Sequence, residues 1–200
     1  MKSIDFSKPV TFSILSAMLE KQAFTQLSLS KEKGVSLGQV NKVAKYLSER
    51  NLIGKEQGAY ALANPYGIIE CIASFRNMKS ALIGKMSVSL SKEEVLKLLG
   101  SRGVLCLDSA LEQFQPNVSS KRVCAYVSKK EKKQLLEELE SLAGENCQVW
   151  LYSEDLPIEE ETVNGLRVTS RKRTAIDLVC DNAGFAASDL FKQLWNQEIL

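Results

Sequence analysis

Apolar residues recur at helical spacing near the start of the chain. Val10, Ile14, Leu15, Met18 and Leu19 form one stripe, which predicts an amphipathic helix. Thr25 stands where a short second helix through Lys33 needs its N-cap, and Gly34 is its stop signal. Ser36 then caps a third helix, in which Val40, Val43, Ala44 and Leu47 return every three or four positions. Leu52-Ile53-Gly54-Lys55 and Ala59-Tyr60-Ala61-Leu62 flank Glu56-Gln57-Gly58, a pattern that predicts a hairpin. The order is helix, helix, glycine turn, helix, hairpin. Asn64-Pro65 and Gly67 punctuate the chain next, so a domain boundary is expected at residue 65.

Beyond that point the periods change. Helices are predicted at 66–83 and 92–99, and a short strand at 104–107 leads into a helix at 108–114. A strand at 122–127 and a helix at 129–142 follow. Then come strands at 147–152 and 166–169 and helices at 171–181 and 187–195. A turn near Asn164-Gly165 would allow a hairpin between the last strand and an earlier one. Strands and helices interleave, so the expected class is α+β: a helical domain over 1–65 and a mixed α/β domain over 66–200.

Charge sharpens this division. The chain of 200 residues carries a formal net charge of +2. Residues 1–65 hold nine Lys and Arg against five Asp and Glu, whereas 66–200 hold 17 against 19. A near-neutral total therefore hides a small basic domain and a larger, slightly acidic one. Not one histidine is present, which excludes Ser-His-Asp and Cys-His catalysis, histidine zinc sites and any histidine general base.

The five cysteines, Cys71, Cys106, Cys124, Cys147 and Cys180, lack a C-x-x-C spacing and mostly sit among apolar residues. They read as buried free thiols. The odd count, and a start without the apolar run of a signal peptide, lead us to expect a cytoplasmic protein. No stretch approaches the ~20 apolar residues of a membrane span.

Residues 11–63 resemble the winged helix-turn-helix family. The likeness rests on Phe24-Thr25-Gln26-Leu27-Ser28-Leu29-Ser30, Gly34-Val35-Ser36, the run from Leu37 to Leu47, and Leu52-Ile53. One departure is Lys33, where the family usually places an apolar residue. Gly34 tolerates the positive φ between two helices meeting at a steep angle, and Val35 plugs the crevice between them. With Val40, Val43, Ala44 and Leu47 inward, the outward face carries Leu37, Gly38, Gln39, Asn41, Lys42, Lys45 and Tyr46. Gln and Asn pair bidentately with adenine, Lys reaches guanine or phosphate, and a Tyr hydroxyl bonds phosphate. The expected DNA-binding set is Thr25, Ser36, Leu37, Gln39, Asn41, Lys42, Lys45 and Tyr46, with Lys55 and Gln57 in the wing.

The segment from Val163 to Leu178, with Val168-Thr169-Ser170, Arg173-Thr174 and Asp177-Leu178, resembles the C-terminal region of AbiEi-type antitoxins. These are winged-helix regulators of type IV toxin–antitoxin systems. An upstream Ser109-Ala110-Leu111 belongs to the same pattern, while Glu112-Gln113-Phe114 replaces the family's usual Gly-Leu. The resemblance implies promoter binding plus a second domain for interaction, with a toxin among the partners it allows. Ser109, Thr169, Ser170, Arg173, Thr174 and Asp177 carry the motif. Read physically, Thr169 or Ser170 caps a helix, and Arg173 and Asp177 share one face as an i,i+4 pair worth a few tenths of a kcal/mol. A basic cluster (Lys121, Arg122, Lys129, Lys130, Lys132, Lys133) extends a DNA path or receives the acidic run Glu154, Asp155, Glu159, Glu160 and Glu161.

Two other classes compete. A metal-dependent nuclease of restriction-endonuclease type would use Asp108 and the E-x-K trio Glu131-Lys132-Lys133. A winged-helix protein–protein interaction module would show a similar polar helix face. No nucleotide-binding glycine loop occurs. The favoured expectation is a regulator without catalytic residues, metal or cofactor, bound to double-stranded DNA. Palindromic sites would require a homodimer.

Overall fold

The computed structural model describes residues 4–6 and 8–199. Helix α1 (Pro9–Leu19) opens on Pro9, whose missing N–H would have been unsatisfied in the first turn anyway. It buries Phe12, Ile14, Leu15, Met18 and Leu19. Val10 departs from the predicted stripe and is exposed. It lies at the rim of an open groove shared with Ile4, Ile14 and Lys42, where nothing covers it.

β1 (Ala23–Phe24), α2 (Gln26–Lys33), α3 (Leu37–Ser48), β2 (Ile53–Glu56) and β3 (Ala59–Leu62) follow. β2 and β3 form the expected hairpin, and β1 adds a third antiparallel strand through Phe24 opposite Tyr60. Two residues are too few to show a period, so β1 left no trace in the sequence pattern.

Asn64 caps α4 (Pro65–Ala73) by accepting a hydrogen bond from the Gly67 N–H at 2.8 Å. The pattern predicts helix to residue 83, but α4 stops at Ala73. A short α5 (Met78–Ala81) then leads into β4 (Leu82–Val88). β4 pairs antiparallel with β7 (Cys147–Ser153), and this distant partner overrides a locally helical spacing.

The remaining elements are α6 (Lys92–Arg102), β5 (Val104–Leu105), α7 (Leu107–Phe114), β6 (Arg122–Val127), α8 (Lys132–Ser141), β8 (Glu160–Val163), β9 (Leu166–Thr169), α9 (Arg171–Cys180) and α10 (Ser188–Trp195). α8 starts at Lys132, three residues later than predicted. Its N-cap residue, Glu131, makes no capping bond and instead pairs with Arg102 at 2.9 Å. Asn164 and Gly165 both take positive φ, 52° and 79°, the geometry that lets β8 and β9 close through a two-residue turn.

The protein is thus α+β. Its larger sheet has the order β4-β7-β6-β5-β9-β8, with β6 parallel to β7, β5 parallel to β9, and the other neighbours antiparallel. One face presents Val123, Ala125, Val149 and Leu151 to Val95 and Leu99 of α6 and Leu135 and Leu139 of α8. The other turns Cys124, Tyr126 and Tyr152 toward a second cluster. That cluster runs without a break across residue 65, from Phe12 and Ile14 through Ile68 to Ile176 and Leu190. The Trp195 indole N–H closes the same junction by donating to the Leu19 carbonyl at 2.9 Å. All five thiols are free; Cys106, Cys124, Cys147 and Cys180 are buried and Cys71 is half-buried. Among the described residues no helix is long and apolar enough to cross a membrane.

Candidate nucleic-acid interface

Three caps fix the geometry of α2 and α3. The Thr25 hydroxyl accepts from the Ser28 N–H at 3.0 Å, and Ser28 reciprocates to the Thr25 N–H. Gly34 ends α2 at φ 63°, a left-handed conformation that a β-carbon would disfavour. The Ser36 hydroxyl accepts from the Gln39 N–H at 3.2 Å while Gln39 Oε1 accepts from the Ser36 N–H at 3.1 Å, a reciprocal box at the start of α3. Thr25 and Ser36 stand where a hydroxyl satisfies a helix start, and Gly34 where the chain needs a positive φ.

Val40, Val43, Ala44 and Leu47 are buried, so the opposite face of α3 exposes Leu37, Gly38, Gln39, Asn41, Lys42 and Lys45. Lys45 reaches Glu49 at 3.9 Å, and Lys42 has no ion-pair partner among the described residues. Lys55 is exposed on β2, and Gln57 is exposed in the hairpin turn at φ 49°.

Tyr46 corrects the expected outward face. It is half-buried, its ring centroid 4.9 Å from that of Phe6, with the Arg50 guanidinium 3.5 Å above the ring. Tyr46 lies at the edge of the apolar stripe, between Val43 and Leu47, where its large apolar body gains more from covering Phe6 than from solvent. Two residues outside the expected set adjoin this candidate face. Arg50 stacks on Tyr46. Gln26, the first residue of α2, donates from Nε2 to Asn41 Oδ1 at 3.3 Å and to the Tyr60 hydroxyl at 3.1 Å.

The C-terminal motif lies inside the protein. Asp177 is fully buried; its Oδ1 accepts from Arg76 at 2.6 Å and from Arg173 Nε at 2.9 Å, and its Oδ2 accepts from the Tyr126 hydroxyl at 2.9 Å. Arg76 also binds Asp155 through two bonds of 2.6 and 3.0 Å, and Arg173 donates to the Pro157 carbonyl at 2.8 Å. Two guanidinium groups are thus offset by two carboxylates. Burial works against the charge of both arginines, but Asp177 and Tyr126 outweigh it and push their pKa values up. Burial pushes the Tyr126 phenol up as well, reinforced by Asp177.

The other motif residues are engaged nearby. Ser170 caps α9 by accepting from the Arg173 N–H at 3.2 Å, Thr169 and Thr174 share a hydroxyl hydrogen bond at 2.8 Å, and Ser109 Oγ accepts from the Cys124 N–H at 2.8 Å. The Arg173–Asp177 pair is therefore no surface i,i+4 contact worth tenths of a kcal/mol. It belongs to a buried network whose disruption costs far more.

The charge clusters also find partners other than one another. Lys172 is buried and joins α9 to α1. Its ammonium donates to the Ser16 carbonyl at 3.0 Å and pairs with Glu159 at 2.8 Å and Glu20 at 3.1 Å. Glu160 pairs with Arg167 and Glu161 with Arg171, so β9 and α9 receive Glu159, Glu160 and Glu161 while Arg76 takes Asp155, and the basic cluster pairs with none of these four. Arg122 turns to Asp108 and Asp181, leaving Lys129, Lys130 and Lys132 exposed. Asp108 therefore lies by the start of β6, whereas Glu131 follows its end. A six-residue strand spans roughly 17 Å, so the two carboxylates of the nuclease reading are not brought together. Among the described residues no group of three His, Cys, Asp or Glu side chains is arranged to hold a metal.

These groups set a pH profile. Burial disfavours the Asp155 and Glu159 carboxylates, but hydrogen bonds from Arg76 to the first and from Lys172 and Ser16 to the second hold both below their ordinary values. Their contribution is present above the unfolded carboxylate pKa of about 4 and disappears as pH falls through the lower folded value. Burial raises Cys106 and Cys124 well above the usual thiol range, and Cys180 to about 11. Their contribution is complete below the unfolded thiol pKa of about 8.5 and declines as pH rises toward the folded value. With no histidine to titrate, urea midpoints are expected to stay level between about pH 5 and 8 and to fall on both sides. A step near pH 6.5 would contradict this assignment.

No protein-family model matches the chain, and no curated protein matches it.

Proposed function

We propose that the protein is a sequence-specific DNA-binding transcriptional regulator, a repressor of the AbiEi antitoxin type. In this reading α1–α3 with the β2–β3 hairpin form a winged helix-turn-helix, α3 enters the major groove, and residues 66–200 supply the interaction domain. One observation carries it: a capped α3 whose exposed face carries Gln39, Asn41, Lys42 and Lys45 beside Leu37 and Gly38, with Lys55 on the adjacent hairpin. The regional excess of Lys and Arg in residues 1–65 fits a phosphate backbone.

Genomic fragments selected by the full chain near physiological salt are expected to be enriched for one short sequence. Enrichment indistinguishable from bulk DNA would sink the proposal. Lys42→Ala is expected to weaken binding to every sequence and to reduce the salt slope by about 0.9, as one fewer phosphate is neutralised. An unchanged slope removes Lys42 from the interface.

A second reading is a protein-contact surface on the same helices, favoured by Leu27 and Leu37, which are 55% and 48% exposed. It is supported if Leu37→Asp abolishes partner co-purification by a chain that has no DNA affinity.

A further inference from the structure

Two amides face outward from α3, and their surroundings differ. Gln39 is committed: its Oε1 accepts from both the Ser36 N–H and the Ser36 hydroxyl, each at 3.1 Å. Reading a base with that oxygen would undo the cap of α3. Asn41 is held instead by a residue of another helix. Gln26 Nε2 donates to Asn41 Oδ1 at 3.3 Å and, with its other hydrogen, to the Tyr60 hydroxyl at 3.1 Å. Tyr60 is anchored in turn. It sits opposite Phe24 in the β1–β3 ladder, and the two rings stack at 5.9 Å with planes 19° apart. Gln26 thus spans α2, α3 and the hairpin, fixed at one end by a strand.

Resting on the DNA-reading proposal, we infer that Gln26 and Tyr60 are positioning residues that hold the Asn41 amide in the orientation that selects adenine. The Gln26 proton occupies one lone pair of Asn41 Oδ1 and so decides which end of the amide is oxygen. The Nδ2 group and the second lone pair of Oδ1 are left for a ligand. Adenine offers a matching pair in the major groove, an N7 acceptor beside an N6 donor. Guanine offers two acceptors, N7 and O6, and meets the fixed oxygen with repulsion. An amide free to turn over would spend part of its time presenting the wrong edge. Gln26 removes that freedom before DNA arrives, so its contribution appears as base preference and not as general affinity.

The test uses the full chain and a library of duplexes randomised over the selected site. Wild type is expected to show one position at which Asn41→Ala abolishes an adenine preference. Gln26→Ala is expected to lower the adenine-to-guanine ratio at that position about tenfold, with affinity for random-sequence duplex and the thermal midpoint unchanged. Tyr60→Phe keeps the aromatic stack and removes only the hydroxyl; it is expected to lower the same ratio in part. Gln26→Glu, which cannot donate to Oδ1, is expected to match Gln26→Ala. If wild type selects a site and the Gln26 variants keep the full adenine preference, the inference is overturned while the regulator reading stands. Equal loss of affinity for specific and random duplexes in Gln26→Ala also overturns it, because that marks a structural role. Wild-type binding no better than to bulk DNA overturns the regulator reading and the inference together.

Discussion

Asp177→Ala is expected to lower the unfolding free energy by about 3–5 kcal/mol, the cost of leaving buried charges without their partner. Asp177 has no exposed surface, and Arg76 and Arg173 are 4% and 1% exposed. Removing the carboxylate leaves two guanidinium groups to share Asp155, which sits at the edge of the network with its side chain 29% exposed. Tyr126 loses its acceptor at the same time. In a chain of this size each kcal/mol moves the thermal midpoint by about 2–4 °C, so a drop of roughly 6–20 °C is expected. Asp177→Asn keeps the shape and one acceptor oxygen and should lose less. Chemical denaturation of both variants checks the ordering. A loss below about 1 kcal/mol for Asp177→Ala would mean that water reaches the arginines and that the network is not closed.

Phe12→Ala is expected to cost about as much, 3–5 kcal/mol, for a different reason. Phe12 is 1% exposed in α1, and the Arg173 guanidinium lies 5.0 Å from its ring centroid. Truncation opens a cavity and uncovers one wall of the charge network. Because the apolar cluster crosses residue 65, the damage is expected to spread to both sides of it. Trp195, bonded to the Leu19 carbonyl of α1, reports on the junction with residues 1–65, and Trp150 in β7 reports on the large sheet; variants that retain only one of them are expected to melt at the same shifted midpoint. Two distinct midpoints would show that the junction of α1 with α10 melts independently of the large sheet.

What the sequence made legible follows from the range of the forces involved. Thr25, Gly34 and Ser36 punctuate α2 and α3 through bonds to residues within four positions, so a local reading finds them. The same holds for Asn164-Gly165, whose turn conformation belongs to those two residues. Arg76 is the opposite case. Its partners Tyr126, Asp155 and Asp177 lie 50, 79 and 101 positions away, and nothing near Arg76 marks it as buried. β4 was hidden for the same reason, because Leu82–Val88 becomes a strand only by pairing with Cys147–Tyr152. Burial hid the weight of Arg173 and Asp177. Their spacing is visible in the chain, but the low-dielectric surroundings that raise the stakes are supplied by Phe12, Arg76 and Tyr126. At the interface, spacing identified the outward face of α3 but not Gln26, whose two partners are 15 and 34 positions away.

The junction between α1 and the last two helices has a consequence for synthesis. Ser16 meets Lys172 across 156 positions, and Leu19 meets Trp195 across 176. A ribosome adding about 5–20 residues per second needs roughly 8 to 30 s to travel from the end of α1 to Lys172. Throughout that interval the side of α1 that carries Phe12, Ser16 and Leu19 has emerged without its partners in α9 and α10. The β2–β3 hairpin and α2 offer it partial shelter, because their own contacts are local and form early. A nascent chain paused before residue 172 therefore presents Phe12, whose ring Arg173 finally covers, to chaperones. Slow codons between the segments for α1 and α9 should lengthen that exposure and lower the soluble yield.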